Sequence, residues 1–210
     1  MSSNKPLFAG SIIANYDEYL VPLLFEEYAR DLMARAAVPA GGRALEIACG
    51  TGVLTRHLSA ALPEGATLVA TDINPTMVDA ARTNVERSGH GTVEFKTADG
   101  TNLPFDDDSF DMVSCQFGVM FYADKRVGYR EAARVLKPGG SFVFNVWDAF
   151  AENAFCRIVH ETVLALQPDD PPAFLSGPFG YYDLATIKSE LQASGFDEVA
   201  FSVLPGVLSS

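Results

Sequence analysis

The chain has 210 residues, 48% hydrophobic and 20% charged, with 27 acidic against 15 basic side chains and a formal net charge of −12. A chain of this length can bury about 70 to 75% of the surface its unfolded form exposes, so it predicts one soluble globular domain and excludes a small scaffold held by disulfides or metal. The acidic balance opposes general affinity for nucleic acid or anionic lipid, which rests on clustered Lys and Arg releasing counterions.

Cys49, Cys115 and Cys156 are an odd number without a Cys-x-x-Cys pair. They predict no dithiol and no metal site, and they fit a reducing cytoplasm. The apolar stretch after Lys5 is interrupted by Pro6 and Gly10, so it does not read as a signal peptide, and no run approaches the roughly 18 apolar residues of a membrane span.

In chain order, Tyr16 to Ala37 places Leu20, Leu23, Leu24, Tyr28 and Leu32 at helical spacing, predicting an amphipathic helix on the sheet or over its open end. From Arg43 to Trp147, short β-rich runs alternate with helical segments. Strands are expected at 44–48, 67–71, 93–97, 112–115 and 141–146, with helices starting near Gly52, after Asn74-Pro75, and ahead of Val135-Leu136. Asn74 suits a helix cap and Pro75 a first helical turn. Lys137-Pro138-Gly139-Gly140 is expected to end the third helix and turn the chain into the fifth strand. Beyond the core come an amphipathic helix over 149–166, a turn-rich stretch over 167–182, a helix over 183–194 closed by Gly195, and a strand-like run over 199–204. The alternation predicts an α/β fold: a doubly wound, mostly parallel Rossmann-like sheet with helices on both faces. The division expected is a helical cap over 1–38, a cofactor-binding core over 39–148, an insertion or lid over 149–182, and a last helix and strand over 183–210.

The most informative segment is Ala44-Leu-Glu-Ile-Ala-Cys-Gly-Thr-Gly-Val53, an apolar strand running into a Gly-rich turn that opens a helix. Such turns bring backbone N–H groups close to a ligand. A dinucleotide Gly-x-Gly-x-x-Gly frame begun at Gly50 requires Gly or Ala at position 55, where the chain has Thr55; begun at Ala48 it meets Val53. What remains is Glu-x-Ala-x-Gly-x-Gly. Twenty positions after Gly52, Asp72 closes the second strand, where two acceptor oxygens can take both hydroxyls of a ribose.

This arrangement resembles motif I of the class I S-adenosylmethionine-dependent methyltransferases, with Glu46, Gly50 and Gly52 in place and Ala48 in the first Gly position. Ala98-Asp99-Gly100 followed by Leu103-Pro104-Phe105 resembles the adenine loop of that family. Phe110 to Phe117 resembles its motif IV, and Arg134-Val-Leu-Lys-Pro-Gly-Gly140 its turn before the fifth strand. Through Tyr16-Asp-Glu-Tyr-Leu-Val-Pro22, the turn segment and Cys115-Gln-Phe-Gly118, the chain is most similar to the ubiquinone/menaquinone-biosynthesis-type methyltransferases. The resemblance implies S-adenosyl-L-methionine as cofactor, held by Tyr19, Glu46, Ala48, Gly50, Thr51, Gly52, Asp72, Ile73, Met77, Asp99, Gly100, Gln116 and Phe117. In that reading Asp99 accepts from the adenine amino group. Family sheets carry a seventh, antiparallel strand between the fifth and sixth, which the chain ends too early to supply, so these residues are expected to belong to a longer protein.

Methyl transfer from a sulfonium is an in-line displacement governed by positioning and exclusion of water. Phe117, Phe121, Tyr122, Tyr16, Tyr19, Phe179, Tyr181 and Tyr182 are the rings expected to wall a small apolar or aromatic acceptor. The segment around Tyr16–Tyr19 and the insertion over 167–182 are expected to roof the site. No residue is assigned as catalytic base. His57 and His160 read as structural before catalytic, and His90 lies in a turn. Asp124 suits a helix cap, Asp106 to Asp108 a solvated loop, and Lys137 a structural role. Two other readings stay open: a non-catalytic domain that binds S-adenosylmethionine, and an NAD(P)-dependent oxidoreductase.

Overall fold

A computed structural model describes residues 15–89, 92–166 and 177–206. Five parallel strands, β1 (Arg43–Ile47), β2 (Thr67–Asp72), β3 (Val93–Thr97), β4 (Phe110–Gln116) and β5 (Leu136–Asn145), form one sheet in the order β3-β2-β1-β4-β5. The order reverses direction between β1 and β4, and in such sheets ligands bind at the carboxyl ends of the strands beside that reversal.

Both faces of the sheet are apolar because successive strand residues point to opposite sides. Leu45, Val69 and Val113 face one cluster with Tyr129, Ala132, Val135, Ile187 and Leu191. Ala44, Leu68 and Met112 face the other with Ala29, Leu32, Leu54 and Leu58. The first cluster is covered by α4 (Lys125–Val135) and α6 (Leu184–Gln192); α1 (Glu26–Arg35) and α2 (Val53–Ala61) supply the second. Helix α3 (Pro75–Ser88) follows β2, and α5 (Ala154–Leu166) follows β5. Phe110 and Tyr129 are wholly buried, and truncating such a ring costs about 3–5 kcal/mol.

Several local readings hold. Asn74 Oδ1 accepts from the Thr76 N–H at 3.0 Å with Pro75 in the first turn, and Asp124 Oδ1 accepts from the N–H groups of Arg126 and Val127. Asp183 caps α6 through the Thr186 N–H at 2.8 Å. Gly195 closes the chain after α6 with φ +103°.

Four expectations are corrected. The helix expected over Tyr16–Ala37 is two pieces: Tyr16–Phe25 winds as a wide π-type helix containing Pro22, and ordinary α geometry begins at Glu26. Proline cannot donate to a helical ladder, which disturbs regular α winding there. The helix expected over 149–166 starts with a tight turn at Phe150–Glu152 before α5, in which no residue is fully buried. Lys137 to Gly140 are not a turn before β5; they form an irregularity inside it, because Phe110 pairs with Leu136 and Met112 with Ser141. An edge strand tolerates this proline, and the Lys137 ammonium anchors the irregularity on Asp111 at 2.7 Å. Finally, Val199–Leu204 is not a strand. It runs irregular and largely exposed, Arg35 donates to Ser202 Oγ at 3.0 Å, and with β5 and α1 it borders an open groove of about 870 Å³.

Candidate active site

The Gly-rich turn after β1 takes left-handed backbone at alternate positions: φ is +57° at Ala48, +53° at Gly50 and +88° at Gly52. Ala48 thus holds the conformation a glycine would adopt freely, at a cost of about 1–2 kcal/mol. A Cβ on Gly50 would project into open space, whereas one on Gly52 would meet Ala81 of α3 at 3.1 Å. The turn is therefore pressed against α3 on one side and open to a ligand on the other.

Glu46, at the base of that turn, is 1% exposed. Its Oε2 has no partner, and the Thr55 hydroxyl beside it completes no hydrogen bond of normal geometry. Burial pushes the carboxyl up to about 8, with the Thr55 hydroxyl opposing and Asp72 reinforcing the shift. A buried acid without a donor is costly unless a ligand supplies one.

Asp72 closes β2 and is tied on both oxygens: Oδ2 accepts from the Gly50 N–H at 3.0 Å and Oδ1 from the Asn74 N–H at 2.9 Å. Burial raises its pKa, while the N–H groups of Asn74, Gly50 and Ile73 pull it down. Ile73 stands 67% exposed beside it, and Met77 is buried on α3. Across the sheet end, Asp99 is exposed and its Oδ1 accepts from the Thr101 N–H and hydroxyl. Gly100 admits no side chain, since a Cβ would meet the Tyr122 hydroxyl at 2.5 Å.

At the end of β4, Gln116 donates from Nε2 to the Phe25 carbonyl at 2.9 Å, while its buried Oε1 has no partner. Phe117 is left-handed, φ +52°, and is held there by the Asn145 Oδ1, which accepts its N–H at 2.9 Å. Its ring stacks on Trp147 at 4.1 Å and is met edge-on by Phe25 and Tyr28. Phe179 lies against Trp147 at 6.0 Å.

The structure thus places Glu46, Ala48, Gly50, Thr51, Gly52, Asp72, Ile73, Met77, Asp99, Gly100, Gln116 and Phe117 at or just beyond the carboxyl ends of β1, β2, β3 and β4. Tyr19 is not brought in. It is 62% exposed, and Tyr16, three residues earlier, is the half-buried ring packed against the core, its hydroxyl raised by burial and then by Asp17 and Asp72. Of the expected acceptor wall, Phe117 and Phe179 are in place, Phe121 points outward at 67% exposure, and Tyr122 is packed over Gly100 and Gly128. Tyr181 turns into the core, accepting from Tyr129 and donating to Glu190. His57 pairs with Glu26 at 2.9 Å, and His160 lies edge-on to Phe150 with an unpartnered Nδ1. His90 and residues 167–176 of the expected lid lie outside the described residues.

Trp147 escaped the sequence reading, although it carried a signal as the only tryptophan, two residues past the fifth strand. Arg134 of α4 serves the site from a distance: it donates to the Leu103 and Phe105 carbonyls and pairs with Glu131 and Asp107, fixing the loop after Asp99.

The acid at the strand end, the open Gly-rich turn and the ribose-type carboxylate define a nucleoside-cofactor enzyme of the doubly wound class. A methyltransferase-domain family matches residues 45–144. The demethylmenaquinone methyltransferase of Corynebacterium urealyticum is 32% identical over 176 residues, covering 79% of this chain and 72% of that protein. The corresponding protein of Clavibacter sepedonicus is 39% identical over 151 residues, 67% of this chain, and this chain spans 58% of its length. The ubiquinone/menaquinone biosynthesis C-methyltransferase of Idiomarina loihiensis is 29% identical over 93% of this chain and 84% of that protein. Among solved structures, a Haloferax volcanii methyltransferase bound to its Trm112 activator superposes with a TM-score of 0.66 at 25% identity, covering 88% of this chain and 74% of that one. A methyltransferase from Aquifex aeolicus, 20% identical, shares the fold with a TM-score of 0.64 over 90% of this chain and 88% of its own. The chain belongs to the class I S-adenosylmethionine-dependent methyltransferases.

The residues present fit that cofactor. The unpartnered acceptors on Glu46 and Gln116 and the open space before Gly50 suit a ligand with a cationic amino-acid end. Asp72 would take its ribose and Asp99 its adenine.

Proposed function

We propose that the protein methylates a ring carbon of a small reduced quinone. The observation that carries this reading is the aromatic slot at the ends of β4 and β5, where Phe117 and Trp147 stack at 4.1 Å with Phe25, Tyr28 and Phe179 around them. This slot adjoins the open groove, whose lining includes Phe117, Trp147 and Tyr28. Flat apolar rings suit a flat apolar acceptor and exclude water, which competes as nucleophile. The names of the bacterial relatives support the same acceptor class.

Bound S-adenosylmethionine would supply an electrophilic methyl group on a sulfonium. The Phe117–Trp147 pair, whose left-handed anchor at Phe117 is fixed by Asn145, would orient the acceptor ring toward that methyl group. No described helix is long and apolar enough to cross a membrane.

The test is incubation with methyl-labelled S-adenosylmethionine and short-chain demethylmenaquinone kept reduced by dithionite, with mass-spectrometric readout. One methyl per ring is expected, with at least tenfold less product from Trp147→Ala. Binding of S-adenosylmethionine without transfer to any reduced quinone would refute the acceptor and leave the cofactor standing.

A further inference from the structure

Asp17 lies in the π-type segment Tyr16–Phe25, in which only Tyr19 was expected to hold the cofactor. Its Oδ2 accepts from Asn84 Nδ2 at 2.9 Å, and that same nitrogen also donates to the Thr51 carbonyl at 2.9 Å. One side-chain amide of α3 therefore ties the leading segment to the middle residue of the Gly-rich turn. The other oxygen, Oδ1, is buried and has no partner. The neighbouring Tyr16 feels both Asp17 and Asp72. Asp17 and Asp72 are thus tied to one turn, Asp17 through Asn84 to the Thr51 carbonyl and Asp72 to the Gly50 N–H at 3.0 Å.

A carboxylate oxygen accepts and never donates, so what completes Asp17 must bring a donor, and a cation completes it best. Of the cofactor's three polar parts, Asp72 and Asp99 stand at the places for ribose and adenine. The part beside Thr51 is the amino-acid end, which carries an ammonium. We infer that Asp17 Oδ1 accepts a hydrogen bond from the α-ammonium of S-adenosylmethionine, making the leading segment a direct cofactor ligand and not only a cover. Asn84 is the positioning residue, aiming Oδ1 by holding Oδ2.

This inference rests on the cofactor assignment above, and the probes separate the two. S-adenosylhomocysteine carries the amino-acid end; 5′-methylthioadenosine has the same adenosine and thioether without it. Calorimetric titration of the wild type, Asp17→Asn and Asp17→Ala with both probes, with circular dichroism to verify folding, tests the contact. Asparagine keeps the volume and an oxygen for Asn84 but turns an N–H toward the ammonium. Asp17→Asn is expected to weaken S-adenosylhomocysteine at least tenfold, and to change 5′-methylthioadenosine less than twofold. Asn84→Leu is expected to show the same selectivity with a smaller loss. Equal losses for both probes, or no loss for either, would overturn the contact. Failure of the wild type to bind S-adenosylhomocysteine would overturn the cofactor assignment and this inference with it.

Discussion

Replacing Glu46 by Gln tests the electrostatics of the site through stability alone. The buried carboxyl titrates near 8 in the folded chain against an ordinary 4.5 when unfolded. Between these values the folded form keeps a proton that the unfolded form releases, so stability is fully present below pH 4.5 and is lost as pH rises toward 8. The slope is about 1.4 kcal/mol per pH unit, which amounts to about 3 kcal/mol lost by pH 7. Glu46→Gln removes this titration while keeping the side chain's size. Urea unfolding of both proteins from pH 5 to 9 should show the variant gaining on the wild type at that slope and levelling off above pH 8. Other groups shift as well: Asp72 upward, Asp111 and Glu131 downward. Asp111 and Glu131 are common to both proteins and cancel in the difference, whereas Asp72 is coupled to Glu46 and its change is part of what the comparison reads. Saturating S-adenosylhomocysteine should flatten the slope, because an ammonium beside Glu46 favours the ionised acid. A difference independent of pH from 5 to 9 would refute the reasoning and place Glu46 at an ordinary carboxylate value.

Asp72→Ala should weaken S-adenosylhomocysteine binding by at least about 1.5 kcal/mol, the lower range for a hydrogen bond to a charged group, as read by calorimetry. S-adenosylmethionine and its demethylated product should raise the melting temperature while NAD and NADP at equal concentration should not, as a thermal-shift comparison checks. Arg134→Ala releases the Leu103 and Phe105 carbonyls and leaves Glu131 without its cation, so chemical denaturation should show a loss of about 1.5 to 3 kcal/mol. Hydrogen exchange should then quicken first in residues 99–108.

The sequence by itself determined the sheet and the cofactor. Alternating apolar runs placed all five core strands, because strand periodicity and turn chemistry are local properties. Glu46, Gly50, Gly52 and Asp72 were legible because a close-approach turn and a strand-end carboxylate demand particular residue types at fixed spacing. The tertiary structure decided what depends on contacts distant in sequence. It chose Tyr16 over Tyr19 as the ring packed against the core, because the leading segment winds wide around Pro22 and presents a face that regular α spacing does not predict. It turned Tyr122 into the core, where Gly100 and Gly128 make room for its ring, and it paired Phe117 with Trp147, thirty residues apart in sequence. It also left 199–204 out of the sheet: a β-rich composition makes a strand only where a neighbouring edge accepts its backbone, and that segment instead borders the groove beside α1. Asp17 belongs with these, since nothing in its neighbours' identities announces that Asn84, sixty-seven positions later, will fix one of its oxygens while the other stays buried without a partner.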